Sequence, residues 1–272
     1  DKTQFIYEMV KIPQAFYFLS RPRRFGKSLL VSTLRYLFEG KKELFKGLWI
    51  SKNTKWQWDT YPVIIIDFNQ ISLDNELQLK KSIFIYLKQI AKDHEIDIDI
   101  ESIPNLFSTI ICTLEQKYQK PVVVLIDEYD KPIINHLGKG KKALDIARKS
   151  RDVLKQLFGV LKGQNGSRAF RVVFFTGVSK FSQVSIFSDL NNLNDLSMQD
   201  DYSTRLGYTQ QELEHVFKGY IDILYKKFKT NRNELLNQIK MWYNGYNFSE
   251  EWDSVYSPFS ILNVFHTKKF KN

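Results

Sequence analysis

The chain has 272 residues, of which 43% are hydrophobic and 15% aromatic. That suffices for one large α/β domain, or for a core of about 200 residues with a small appendage, and argues against global disorder. Lys and Arg outnumber Asp and Glu by 40 to 30, a formal charge of +10. This surplus suits an anionic partner such as nucleotide, DNA or RNA, or an acidic protein face; spread along the chain as it is, it also suits a merely solvated surface. Cys112 is the only cysteine, so no intrachain disulfide and no paired-cysteine zinc site can form, and a cytoplasmic, reducing location is expected. No apolar run approaches the ~18 residues needed to cross a bilayer, so no membrane partner is expected. The ends, Asp1-Lys2-Thr3 and Lys268-Lys269-Phe270-Lys271-Asn272, suggest a segment of a longer protein.

In chain order, four apolar runs read as strands: Phe16 to Leu19, Val63 to Phe68, Val122 to Ile126 and Val172 to Thr176. Near-continuous Val, Ile and Phe without alternation suit a parallel sheet covered on both faces. A short fifth strand is expected near Leu196 to Met198. Helical spacing appears in Leu30, Leu34 and Leu37, ended by Gly40, and again in Leu79, Ile83, Leu87 and Ile90. Cys112 lies within a third such pattern (Leu106, Ile110, Ile111, Leu114), as a buried inert thiol. A fourth runs from Ala147 through Leu161 and ends near Gly163 and Gly166. Alternating strands and helices predict right-handed βαβ units in a three-layer α/β core over residues 1–200. Beyond it, Gln210 to Phe228 and Glu234 to Tyr243 read as helices, followed by an aromatic, turn-rich tail. Residues 201–272 are therefore expected to form a small helical, lid-like domain, cut short at its C-terminus.

Between the first strand and first helix lies Arg21-Pro22-Arg23-Arg24-Phe25-Gly26-Lys27-Ser28-Leu29. A phosphate-binding loop belongs at this position, where backbone N–H groups and the helix N-terminus face an anion. Gly26 lets the backbone come close, Lys27 reaches the β- and γ-phosphates, and the Ser28 hydroxyl ligates Mg²⁺. The first position is Arg21 rather than Gly, and Pro22 fixes one backbone angle. Taken alone the segment also reads as a basic turn for nucleic acid or for the chain's own carboxylates.

The third strand ends in Leu125-Ile126-Asp127-Glu128. Apolar residues followed by Asp-Glu form a Walker B arrangement, with Asp127 for the metal and Glu128 to orient or deprotonate the attacking water. Both belong at the carboxyl end of a central strand. A phosphate loop, an intervening strand, then apolar-Asp-Glu is the order of the additional-strand, catalytic-Glu branch of P-loop ATPases. Tyr129, Asp130 and Lys131 either shape the site, pair with Arg23 and Arg24, or form a solvated turn. The fourth strand runs into Thr176-Gly177-Val178-Ser179-Lys180. Thr176 and Ser179 are candidate sensors of the γ-phosphate or plain helix caps, and Lys180 is a candidate for phosphate or a neighbouring subunit. Arg205 is either an arginine finger or a surface residue. The four histidines are scattered, His94-Glu95 lacks the second His of a zinc protease, and Glu115-Gln116-Lys117 falls on a helix face rather than at a nuclease centre.

These segments together resemble the bacterial AAA-ATPase-like domains. The matching residues are Asp1-Lys2-Thr3, Phe18 to Leu29, Glu43-Leu44-Phe45-Lys46-Gly47-Leu48, Leu125 to Pro132, Thr176 to Ser182, Ser185 to Leu193, Gly207-Tyr208-Thr209, Trp242 to Tyr246 and Tyr256 to Ser260. The resemblance implies that Arg21-Pro22-Arg23-Arg24-Phe25-Gly26-Lys27-Ser28 is that family's own form of the loop. It also implies an ATPase core with a helical lid, often followed by a nuclease-like domain of the PD-(D/E)xK type. Ser257 stands where the family usually has Asn. The expected function is Mg²⁺-dependent ATP hydrolysis coupled to conformational change, with catalysis by Glu128 and Lys27, ATP and Mg²⁺ as ligands, and a homo-oligomer among the possible states. The rival readings are a nucleotide-gated nucleic-acid-binding module with little turnover and a degenerate loop kept as scaffold.

Overall fold

A computed structural model describes residues 1–163, 169–180, 186–187, 190–250 and 254–270. Gly166, Phe181, Ser182, Ser185, Ser188, Asp189, Lys271 and Asn272, named in the sequence reading, lie outside them. The chain divides into two compact units. The first comprises Asp1–Ser20 and Ser28–Asp195, the second Arg21–Lys27 and Leu196–Asn272.

The first unit contains, in order, α1 (Thr3–Val10), β1 (Ala15–Ser20), α2 (Lys27–Phe38, whose first residue groups with the second unit), α3 (Trp49–Asn53), β2 (Val63–Asp67), α4 (Glu76–Asp93), α5 (Ile103–Tyr118), β3 (Val122–Asp127), α6 (Lys131–Ile134), α7 (Lys141–Gly163), β4 (Phe170–Gly177) and β5 (Leu193–Asp195). The strands form one sheet in the order β2-β3-β4-β1-β5, and every pairing is parallel. β4 separates β1 from β3 in space, whereas β2, which lies between them in sequence, pairs only with β3. This is the three-layer arrangement expected of a P-loop core with an additional strand between the loop strand and the acidic strand.

The three central strands are covered on both faces, which is why they read as unbroken apolar runs, whereas Val63, Ile65 and Asp67 of the edge strand β2 are only part-buried. β3 is buried at every position and β4 at every position but Arg171. One face packs Phe16, Phe18, Ile64, Ile66, Val124 and Phe175 against Leu79 and Ile83 of α4, Leu106 and Ile110 of α5, and Leu154 and Phe158 of α7. Residues of opposite parity, such as Leu19, Val123, Leu125 and Phe174, point the other way and are buried too. The fifth strand lies at Leu193–Asp195 rather than at Leu196 to Met198, because Phe16 to Phe18 pair with those three residues.

The second unit holds α8 (Asp200–Ser203), α9 (Gln210–Val216), α10 (Lys218–Lys227), α11 (Arg232–Tyr243), β6 (Asn244–Asn247), β7 (Ser254–Tyr256) and α12 (Pro258–Thr267). Thr209 starts α9 with a capping box: its side chain accepts from the Glu212 N–H, and Glu212 accepts from the Thr209 N–H. The continuous helix expected over Gln210 to Phe228 is broken at Phe217, which ends α9 and opens α10. Despite the break, Leu213, Phe217, Ile221 and Leu224 keep helical i+3/i+4 spacing and join one core with Leu235, Ile239 and Val264. The aromatic tail forms an antiparallel ribbon, β6 with β7, tied to Tyr208 through a bridge at Tyr256. Among the described residues no helix is long and apolar enough to cross a membrane.

Candidate nucleotide site

In the first unit the site is built at the carboxyl ends of β3 and β4. Asp127 closes β3, is 3% exposed, and accepts a hydrogen bond of 2.6 Å from the Ser28 hydroxyl in the first turn of α2. Glu128 follows with φ of +53°. A left-handed backbone costs a non-glycine residue energy, and such outliers gather where a side chain must be aimed. The turn after it is stitched to β4. The Tyr129 N–H donates to the Thr176 carbonyl at 3.1 Å, and its hydroxyl to the Ser179 carbonyl at 2.9 Å.

Asp130 is fully buried, and its Oδ2 accepts from the N–H groups of Val178 and Ser179 at 3.0 and 2.5 Å. Burial pushes the Asp130 carboxyl above its ordinary value; the backbone donors pull the other way, and the nearby Glu128 charge adds to the rise. Gly177 is required beneath this turn. A Cβ there would stand 2.5 Å from Asp130 Oδ1 and 2.7 Å from the Tyr129 ring. Of the three readings for Tyr129 and Asp130, a solvated turn is ruled out by their burial. Neither their burial nor their partners could be seen in the sequence.

The candidate sensors have partners of their own. The Thr176 hydroxyl is buried and donates to the Leu19 carbonyl of β1 at 2.8 Å. Ser179 presents its N–H and carbonyl to the Asp130–Tyr129 turn. Lys180 pairs with Asp195 at 3.0 Å. Leu29 is 71% exposed.

In the second unit, the loop Arg21–Lys27 has left-handed residues at Arg24 (φ +64°) and Gly26 (φ +92°), separated by Phe25. Alternation of hand is the backbone pattern of an anion-binding nest. A Cβ at Gly26 would meet nothing within 4 Å, so glycine is needed there for its φ, and the protein leaves open space beside it. Lys27 is 4% exposed, and its amine donates to the carbonyls of Arg21 and Pro22 at 3.1 and 3.2 Å. Arg21 and Phe25 are 1% exposed, while Arg23 and Arg24 are exposed. Arg205 donates through Nε to the Asp201 carbonyl at 2.5 Å.

The donors fit the ligands that the sequence implies. Ser28 and Asp127 offer two hard oxygens side by side, and among the described residues no group of three or more His, Cys, Asp or Glu could hold a metal. A pair of hard oxygens suits Mg²⁺, which keeps waters and substrate phosphate oxygens in the rest of its shell.

The profile of the family described as "Predicted AAA-ATPase" matches residues 1–187. The chain belongs to the AAA-ATPase-like family. A curated relative of this AAA-ATPase-like chain, the "Uncharacterized protein in vnfD 5'region" of Azotobacter chroococcum mcd 1, is 36% identical over 274 residues. The match takes in 100% of this chain and 49% of that protein, so the chain spans about half the length of its relative. Among solved structures, the ORC2 protein of Aeropyrum pernix in its ADPNP–ADP complexes aligns with a TM-score of 0.41 and 13% identity, covering 80% of this chain and 48% of that one. Drosophila ORC bound to DNA aligns at 0.36 and 12%, covering 80% and 44%. The fold assignment rests on the strand order rather than on these likenesses.

Proposed function

We propose that the chain is an Mg²⁺-dependent ATPase whose turnover drives a change in its C-terminal residues. The observation that carries the reading is the 2.6 Å bond between Ser28 and Asp127. It pairs the hydroxyl next to Gly26-Lys27 with the carboxylate next to Glu128. In this reading the loop N–H groups and Lys27 hold the phosphates, and Ser28 with Asp127 holds the metal. Mg²⁺, when bound, neutralises charge on the transferred phosphoryl group. Glu128 aims its carboxylate at the attacking water and takes its proton, and Ser179 and Lys180 respond to the γ-phosphate.

The test is ATP binding and turnover in two variants. Lys27→Ala should lose ATP binding. Glu128→Gln should bind ATP normally and fail to hydrolyse it. Wild-type turnover in Glu128→Gln would remove the catalytic assignment, and normal ATP binding by Lys27→Ala would remove the phosphate-loop assignment. The +10 charge supports DNA or RNA as a further partner. Turnover measured with and without DNA, and DNA binding across a salt series, would separate an ATPase stimulated by nucleic acid from a binding module with little turnover.

A further inference from the structure

The loop carries more arginine than phosphate binding calls for, and the surroundings of Arg21 indicate why. Its guanidinium donates to the Ser197 carbonyl at 2.8 Å and to the Tyr202 carbonyl at 2.9 Å. It also lies 4.0 Å from the centroid of the Phe248 ring. These partners are 176 and 181 residues away for the carbonyls, and 227 for the ring. Two donor groups are committed to carbonyls and the charged carbon faces an aromatic ring, contacts that hold a desolvated cation in a fixed place.

Phe25, four residues on, repeats the contact with apolar chemistry. Its ring meets Tyr246 at 4.7 Å and Phe248 at 5.6 Å, both edge-on. Arg24 stands 4.1 Å over Phe259. Phe248 thus serves two loop residues at once, one through its charge and one through its ring.

We infer that Arg21 and Phe25 are positioning residues and not phosphate ligands. They tie the phosphate loop to residues 197–202 and 246–248, so that the loop's shape depends on those segments and a nucleotide on the loop is felt by them. The loop is joined by peptide bonds to Ser20 at the end of β1 and to Ser28 in α2, so this tie is a route from the phosphates to the C-terminal residues. The nucleotide half of the inference rests on the ATPase reading; the tie itself does not.

The experiment compares Arg21→Lys, Arg21→Ala, Phe248→Leu and the Arg21→Ala/Phe248→Leu pair in the full chain. Two readouts are followed: ATP affinity, and amide exchange over residues 197–206 and 244–248 without nucleotide. A tie predicts that Arg21→Ala and Phe248→Leu each weaken ATP binding, about tenfold at most, and that the pair does little more than either alone. It predicts that Arg21→Lys fails as well, because lysine keeps the charge but loses the planar fork. It also predicts faster exchange in both segments. If Arg21 is a phosphate ligand, Phe248→Leu keeps full ATP affinity, Arg21→Lys retains most of it, and exchange is unchanged; that result overturns the inference. Should the wild-type chain bind no ATP at all, the ATPase reading falls, while the exchange data still decide the tie.

Discussion

Ser28 donates its hydroxyl hydrogen to the Asp127 carboxylate across 2.6 Å, joining residues 99 positions apart. The bond fixes the start of α2 against the end of β3 and sets two oxygens side by side. Removing either partner should have a different signature. Ser28→Ala takes a donor from a buried carboxylate and should cost roughly 1 to 3 kcal/mol by chemical denaturation. Asp127→Asn keeps an oxygen that can accept from Ser28, so stability should change less. Both should weaken Mg²⁺ support of ATP binding by at least about 10- to 100-fold, read by titrating Mg²⁺ at fixed ATP. Equal Mg²⁺ response in wild type and Asp127→Asn would detach this pair from the metal.

Gly177→Ala should destabilise the chain although glycine there has an ordinary φ. The added carbon would lie 2.5 Å from Asp130 Oδ1 and 2.7 Å from two Tyr129 ring carbons. Both side chains are fully buried and bonded to the β4 end, so neither can swing away cheaply. Overpacking of this kind costs about 1 to 3 kcal/mol, which for a chain this long lowers Tm by roughly 2 to 12 °C. Thermal unfolding of the variant reads it directly, and an unchanged Tm would mean that the Tyr129–Asp130 turn yields.

Asp130 should also give stability a pH dependence of definite sign. Burial raises its carboxyl above the ordinary value of about 3.9. The fold therefore favours the neutral acid. Its contribution is present in full below the unfolded pKa and is lost as pH rises through the folded one. Asn at this position keeps a carbonyl for the Val178 and Ser179 N–H groups and cannot ionise. The difference in Tm between Asp130→Asn and wild type should move in the variant's favour from pH 3.5 upward and level off once Asp130 is charged. A difference that stays flat with pH would refute burial as the dominant influence.

The contrast between Asp127 and Asp130 marks how far the sequence could be read. β1, β3 and β4 were legible because strands buried on both faces must be apolar throughout, and β2, part-buried at alternate positions, still carries the run Val63 to Ile66. β5 was misplaced by three residues because a three-residue strand containing Asn194 and Asp195 has no such run. Ser28 and Asp127 were legible because each sits where a phosphate-binding core needs it, next to Gly26-Lys27 and at a strand end. Asp130 was not, since a buried Asp and a turn Asp look alike in sequence. Its donors Val178 and Ser179 are 48 and 49 residues away. Arg21 shows the same limit more strongly. Next to a phosphate loop an arginine reads as an anion ligand, and only the fold reveals that two carbonyls and a ring take up its guanidinium.

Thr176 offers a last distinction between a sensor and a structural tie. Its hydroxyl is fully buried and donates to the Leu19 carbonyl, which joins β4 to β1 beside the start of the loop. A γ-phosphate oxygen needs a donor, and this hydroxyl has only one proton, already committed to Leu19. Thr176→Val keeps the side chain's shape and removes that donor. It should cost about 1 kcal/mol of stability, while ATP binding and turnover per folded molecule stay within about threefold of wild type. Ser179→Ala, which leaves the N–H to Asp130 intact, should be the variant that slows hydrolysis if a hydroxyl at this strand end senses phosphate. The two are separated by measuring turnover and urea unfolding on the same preparations. A large loss of turnover in Thr176→Val at near-normal stability would return the sensor role to Thr176 and require the hydroxyl to leave Leu19 during the cycle.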